Sequence, residues 1–264
     1  MSEAAEVSES VLGERRGAVL LVTLNRPERL NAWNDEVEGR YFELLDEAEA
    51  DPGVRAVVVT GAGRGFCAGA DMDILDQASG TATTPFERPR PRTRPLELRK
   101  PLIAAVNGAA AGLGFVETLY CDVRFTVPAA KFTTAFVRRG LIAEYGIAWL
   151  LPRIVGTSRA LDLLLSGRVV LGSEAHGLGL ADFLESPEGL VDAAVAYAVD
   201  LTENCSPASM AVIKGQVHRS LDSSLDEALH EAQEQMRESF SRPDVKEGVA
   251  SYLEKRPPEF PPLG

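Results

Sequence analysis

Two glycine-rich segments are the residues best suited to chemistry in this sequence. The first is Gly61-Ala62-Gly63-Arg64-Gly65-Phe66-Cys67-Ala68-Gly69-Ala70-Asp71, and the second is Asn107-Gly108-Ala109-Ala110-Ala111-Gly112-Leu113-Gly114. Each follows a strand-like run and precedes a helix-like one. Such junctions leave backbone N–H groups unspent at the positive end of a helix dipole. Two loops of this kind, facing each other, can hold one oxyanion between two donors. Neither is a nucleotide signature: Gly61-x-Gly63-Arg64-Gly65 lacks the spacing of a dinucleotide loop, and no Lys-Ser/Thr pair follows. Each loop taken alone also reads as a tight turn.

A carboxylate stands out for its surroundings. Glu144 lies in Gly140-Leu141-Ile142-Ala143-Glu144-Tyr145-Gly146, with Ile147, Ala148, Trp149 and Leu150 beyond it. The stretch reads as buried, and an acid there costs desolvation unless something uses it. Desolvation would also make it a better base for a proton that must be taken and returned. The bland reading is an acid at a helix start paired with Arg138 or Arg139.

The elements around these residues alternate first and turn helical later. Strands are expected at Ala18–Leu24, Val54–Thr60, Leu102–Val106 and Val123–Val127, rich in Val, Leu and Ile. Asn34–Ala50 carries apolar residues at helical spacing and stops at Asp51-Pro52-Gly53. Met72–Gln77 reads as a short helix. After Gly156, helices are expected at Thr157–Leu165, Ser173–Gly177, Pro187–Thr202, from Pro207 to about His218, Asp222–Phe240 and Pro243–Glu254. Ser224 followed by Glu227 is a capping-box signature. Apolar faces on the last helices (Leu225, Met236, Phe240, Leu253) suit packing on the core or on a second subunit.

The segment 79–98 interrupts the pattern. Its prolines prevent a regular helix or a central strand. It reads as a mobile surface loop, whose Arg88, Arg90, Arg92, Arg94 and neighbouring Arg99 either meet phosphates or are simply solvated.

The bulk numbers narrow the partners. The chain has 264 residues and a net charge of −12, which argues against nucleic acid and anionic membranes as partners. No apolar run reaches the roughly 18–20 residues of a membrane span. The polar, acidic residues 1–14 resemble neither a signal nor a transit peptide and read as a tail, so a cytoplasmic location is expected. Cys67, Cys121 and Cys205 are distant from one another, and His176, His218 and His230 do not cluster, so reduced thiols and no metal are expected. His176 reads as structural, Trp33 and Trp149 as core.

Taken together, the motifs resemble the crotonase (enoyl-CoA hydratase/isomerase) superfamily. The resemblance rests on Asn25-Arg26-Pro27 with Asn31-Ala32, on Gly65 to Asp71, and on Lys100-Pro101 to Asn107-Gly108 with Gly112-Leu113-Gly114 and Cys121-Asp122. Gly167-Arg168, Glu174-Ala175 and Gly177-Leu178-Gly179-Leu180 extend it. It covers about Gly17 to the C-terminus, except 79–98. It implies an α/β spiral of ββα repeats over residues 1–200, with 1–15 as a disordered tail, and a C-terminal helical trimerisation region over 201–264. It implies an acyl-CoA thioester substrate, with coenzyme A part of the substrate and no other cofactor, and a homotrimer or dimer of trimers.

Carried over residue by residue, the resemblance makes the N–H groups of Ala70 and Leu113 the oxyanion hole. Leu113 departs from the usual glycine and narrows the acyl pocket. Arg29 and Leu30 would line the phosphate side, and Ala68, Asp71 and Met72 the adenine and pantetheine path, with Asp71 also ordering its own loop. Lys255 and Phe260 would reach the CoA of a neighbouring subunit. The two glutamates that a hydratase of this family uses fall on Val116 and Phe136, neither of which moves a proton. Glu117 is adjacent to Val116 but turned about 100° away on a helix. Glu144 matches the acid position of several isomerases. The pattern therefore favours Δ3–Δ2 enoyl-CoA isomerisation by Glu144. The alternatives are hydration or thioester hydrolysis through Glu144 and water, and a non-catalytic CoA-binding member.

Overall fold

The Val- and Leu-rich runs form a six-stranded sheet in the computed structural model, which describes residues 9–71 and 90–264. Its strands are β1 (Val11–Arg16), β2 (Val19–Leu24), β3 (Ala56–Gly61), β5 (Leu102–Val106), β7 (Val123–Thr126) and β10 (Phe183–Leu184), in that spatial order. β1 pairs antiparallel with β2, and the rest run parallel. Every residue of β3 and β5 is buried, as parallel strands covered on both faces require.

A second sheet holds β4 (Gly65–Cys67), β6 (Ala109–Ala111), β8 (Lys131–Thr133) and β9 (Val170–Leu171). The chain visits both sheets in each turn: β3 then β4, β5 then β6, β7 then β8. This is the expected ββα spiral. Successive turns stack so closely that side chains are excluded between them. A methyl at Gly114 would lie 2.1 Å from the Cys67 carbonyl oxygen.

Helices cover the sheets. α1 (Asp35–Ala50) is capped by the Asn34 side chain, which accepts from the Val37 N–H. Its last carbonyls are met by Lys100, whose Nζ donates to Ala48 and Asp51. α2 (Leu113–Leu119) follows β6 directly. Then come α3 (Ile147–Val155), α4 (Thr157–Ser166), α5 (Gly172–Gly177), α6 (Leu190–Asn204), α7 (Pro207–Ser220), α8 (Leu225–Ser241) and α9 (Pro243–Glu254). The capping box of Ser224 and Glu227 is present. α6 buries Leu190, Ala194 and Ala198, and the expected division at residue 201 falls in its last turn. No helix of the described residues is long and apolar enough to cross a membrane.

Two expectations are corrected. Residues 11–15, read as part of a tail, belong to β1; its charged, mostly exposed residues suit an edge strand but hide it from a hydrophobicity reading. The Arg/Pro segment is not a solvated phosphate reader where it is described. Arg90 and Arg94 pair with Asp46, Arg92 with Glu38, and Arg99 with Glu49, all acids of α1. Pro95 and Leu98 are buried. The acidic face of α1 thus neutralises the arginines that follow. Arg88 and the helix expected at Met72–Gln77 lie outside the described residues.

Asp122 fastens α7 to the sheet. Its Oδ2 accepts from the Leu102 N–H at 2.8 Å and from Lys214 Nζ at 2.8 Å. Desolvation alone would raise its pKa, but His218, Lys214 and the Leu102 amide hold it below the usual aspartate value. A folded pKa below the unfolded one stabilises fully above about pH 4 and is lost as pH falls through the folded value. Asp122→Asn is therefore expected to destabilise by about 1–3 kcal/mol at pH 7. Denaturant unfolding should show the gap to wild type closing as pH falls below about 4; a gap independent of pH would contradict this.

Candidate active site

The site forms where three loops meet. The first turns through Pro27–Arg29, with Leu30 (φ 51°) and Asn31 (φ 56°) both left-handed. The left-handed turn is costly for leucine and is held by Asn31. The Asn31 Oδ1 accepts from the Arg26 N–H at 2.8 Å, and its Nδ2 donates to Ala62 at 3.0 Å and Gly65 at 2.8 Å. Asn107 donates to Gly61 and Gly63 in the same loop. Two asparagine side chains thus clasp the first glycine loop. Both asparagines lie in the sequence motifs, but a clasp across 31 to 46 positions leaves no local pattern.

Ala70 and Leu113 come to this junction with their N–H groups unspent. Trp33 forms a parallel bridge with Ala70: the Trp33 N–H donates to Gly69, and the Asp71 N–H donates to Trp33. Those bonds flank Ala70, so its own N–H points away from Trp33. Leu113 is the first residue of α2, where an N–H has no helical partner. Neither N–H donates to an acceptor within the described residues. Gly69 adopts φ 96°, and a methyl there would sit 2.7 Å from the Ala111 carbonyl oxygen and 3.7 Å from the Leu113 nitrogen. The two loops therefore pass at contact distance, which is the arrangement that a two-donor oxyanion hole requires.

The acids separate by environment. Glu144 is half-buried rather than buried, and Ile142 beside it is 78% exposed. The apolar run around it follows a short loop and then one face of α3, so only part of it turns inward. Glu144 does not pair with the nearby arginines: Arg138 donates to Ser166 and Arg139 to Ala135. Its carboxylate makes no hydrogen bond or ion pair within the described residues. The loop is anchored on the site side. The Leu141 N–H donates to Phe136, and the Tyr120 hydroxyl at the end of α2 donates to the carbonyl of Tyr145 at 2.6 Å. Tyr145 has φ 55°.

Val116 and Phe136 are both buried. A methyl at Gly112 would touch the Phe136 ring at 3.9 Å, so an aromatic face lies beside the Leu113 donor. Glu117 sits in the core, 3% exposed, where desolvation pushes its carboxyl well above the usual range.

Other site residues divide. Leu30 accepts from the Ala68 N–H at 3.0 Å and so joins the first loop to the second. Asp71 is buried and takes both terminal nitrogens of Arg26, at 3.2 and 3.1 Å. This ion pair ties the first glycine loop to the turn at Pro27–Arg29. Arg29 is exposed. Met72 lies outside the described residues. Phe260 accepts from Arg55 through its carbonyl, and its ring packs near Gly248. Trp33 is core; Trp149 is half-buried, with Arg153 stacked on it at 3.9 Å. His176 is exposed.

A family model described as enoyl-CoA hydratase/isomerase matches residues 14–262. The chain is 37% identical to a 1,2-epoxyphenylacetyl-CoA isomerase of Escherichia coli over 259 residues, covering 96% of this chain and 98% of the relative. It is 34% identical to a probable enoyl-CoA hydratase of Mycobacterium tuberculosis over 255 residues, covering 96% and 98%. Among solved structures, an enoyl-CoA hydratase from Polaromonas superposes with TM-score 0.89 at 29% identity, covering 95% of this chain and 99% of that one. A monofunctional enoyl CoA isomerase from M. smegmatis superposes with TM-score 0.72 at 37% identity, covering 84% and 99%.

Asn31→Ala would leave the Arg26 N–H and the Ala62 and Gly65 carbonyls without this partner. Urea unfolding is expected to show a loss of roughly 2–4 kcal/mol. A change under about 0.5 kcal/mol, the range of a neutral surface substitution, would contradict the clasp.

Proposed function

This chain belongs to the enoyl-CoA hydratase/isomerase family, and within it we propose that it moves a double bond from C3 to C2 of an enoyl-CoA thioester, with Glu144 carrying the proton. The thioester oxygen accepts from the N–H groups of Ala70 and Leu113. The Glu144 carboxylate removes a proton from C2. The C2–H electron pair moves toward the thioester, and the dienolate charge gathers on the oxygen between the two donors. The protonated Glu144 then returns the proton at C4, and the 2-enoyl product forms with the carboxylate restored. Coenzyme A enters as part of the substrate, with Leu30, Ala68 and Arg29 along its path.

The observation that carries this reading is the state of Glu144. It is a carboxylate without a cation or hydrogen-bond partner among the described residues, on a loop tied to the end of the helix that Leu113 begins. Adding water across a double bond needs an acid and a base acting on one water, and Val116 and Phe136 supply neither. Relatives are named both as isomerases and as hydratases, so the reading rests on the side chains. Exposed Leu225, Phe240, Tyr252 and Leu253 on α8 and α9 favour a homo-oligomer, a trimer or dimer of trimers, as the working form.

Trans-3-hexenoyl-CoA is expected to be converted to the 2-enoyl thioester, with Glu144→Gln lowering kcat by about 10²–10⁴-fold. Equal rates for the two proteins would remove Glu144 from the mechanism. Faster formation of 3-hydroxybutyryl-CoA from crotonyl-CoA than of the isomerised product would overturn the isomerase reading.

A further inference from the structure

The proton chemistry leaves unused a buried polar cluster that adjoins each of its parts. Glu117 lies four residues beyond Leu113 on α2, about 6 Å along the helix axis. Both of its carboxyl oxygens are buried and neither has a hydrogen-bond partner. Arg92 reaches the same cluster from the segment before β5. Its guanidinium stands over the Tyr145 ring at 4.8 Å, next in sequence to Glu144. Its Nη1 lies 3.0 Å from Glu38 Oε2, yet outside hydrogen-bond geometry, so a buried donor there also stays unspent. Glu38 accepts from Trp33 Nε1 at 3.0 Å, and Trp33 is the residue bridged to Ala70. The walls of the cluster are thus the neighbours of both oxyanion donors and of the base.

A buried carboxyl with no partner is destabilising, and an apolar side chain of similar size avoids that cost. A group that arrives with the substrate would repay it. The charges define what fits. Arg92 is already balanced by Glu38, and desolvation pushes the Glu117 carboxyl well above the usual carboxylate range. A second carboxylate would enter without a free cation to meet it. An uncharged oxygen would accept from the Arg92 N–H and exchange a hydrogen bond with the Glu117 carboxyl.

We propose that Arg92 and Glu117 form a binding pocket for an uncharged oxygen substituent, a hydroxyl or a carbonyl, on the acyl group. The proposal rests on the reading that an acyl-CoA thioester is held at Ala70 and Leu113. It extends that reading to the substrate class, namely acyl chains already oxygenated beyond the reacting carbons. The Tyr145 ring forms one wall, so recognition and proton transfer share the loop of Glu144.

The test uses thioesters that do not react. Calorimetric titration compares hexanoyl-CoA with 6-hydroxyhexanoyl-CoA and with 4- and 5-oxohexanoyl-CoA, which lack a hydroxyl placed to close a five- or six-membered lactone. The wild-type protein is expected to bind at least one oxygenated thioester about tenfold more tightly than hexanoyl-CoA, the worth of one hydrogen bond to a charged group. In Glu117→Leu and Arg92→Met that ratio is expected to fall toward one. Leucine removes an unpaired polar group from the core, so Glu117→Leu is expected to fold, which its melting curve checks; Glu117→Gln, which keeps the polarity, is expected to retain part of the ratio. Equal affinities for all four thioesters in wild type, or a ratio that survives in Glu117→Leu, would overturn the proposal. The ratio is readable whether or not the protein isomerises 3-enoyl-CoA. Failure of every thioester to bind would overturn the proposal and the reading beneath it together.

Discussion

The structure depends on two backbone segments passing at a distance that admits no side chain. Gly69 faces the Ala111 carbonyl and the Leu113 nitrogen, and Gly114 faces the Cys67 carbonyl. Any Cβ at these positions would force the loops apart. Held together, they bring the Leu113 N–H, the first of α2, to the loop that carries the Ala70 N–H. Both donors are main-chain groups, so their direction is fixed by the spiral rather than by rotamers. Leu113 is 2% exposed, so its side chain turns into the core while its nitrogen stays at the junction of the loops.

Side chains keep that approach in register. Asn31 and Asn107 hold the first glycine loop from two directions, and Arg26 holds its far end through Asp71. Several of these residues are strained or buried polar groups, and among the described residues four of the five non-glycine positive-φ positions (Leu30, Asn31, Ala135, Tyr145) border the site. Backbone strain of about 1–3 kcal/mol per residue persists only where surrounding bonds over-determine it. The same logic governs the charges. α1 presents acids to the arginines of the following segment, so a chain of net charge −12 keeps its cations neutralised locally.

Much of this was legible in the sequence. The strands β2, β3, β5 and β7 show as Val- and Leu-rich runs, and the helices from α4 onward show through caps such as Ser206-Pro207 and Ser224 with Glu227. The glycine loops pointed to Ala70 and Leu113, whose N–H groups are unspent among the described residues and whose loops the fold brings together. The second sheet was not legible, because strands of two or three residues carry no measurable period. β1 was hidden by its charges. The pairing of Arg90, Arg92 and Arg94 with Asp46 and Glu38 joins residues 44 to 54 positions apart, and local pattern carries no trace of it. In the sequence Glu117 shows only as the neighbour of Val116, since sequence shows the turn of a helix but not what fills the space it faces.

The claim under all of this is that the Ala70 and Leu113 amides converge on one oxygen. A crystal structure with a bound saturated acyl-CoA measures it directly. The account requires the thioester oxygen to lie about 2.7–3.1 Å from both nitrogens, the range of a formed oxyanion contact. A thioester oxygen bonded to only one of them, or directed to solvent, would contradict it.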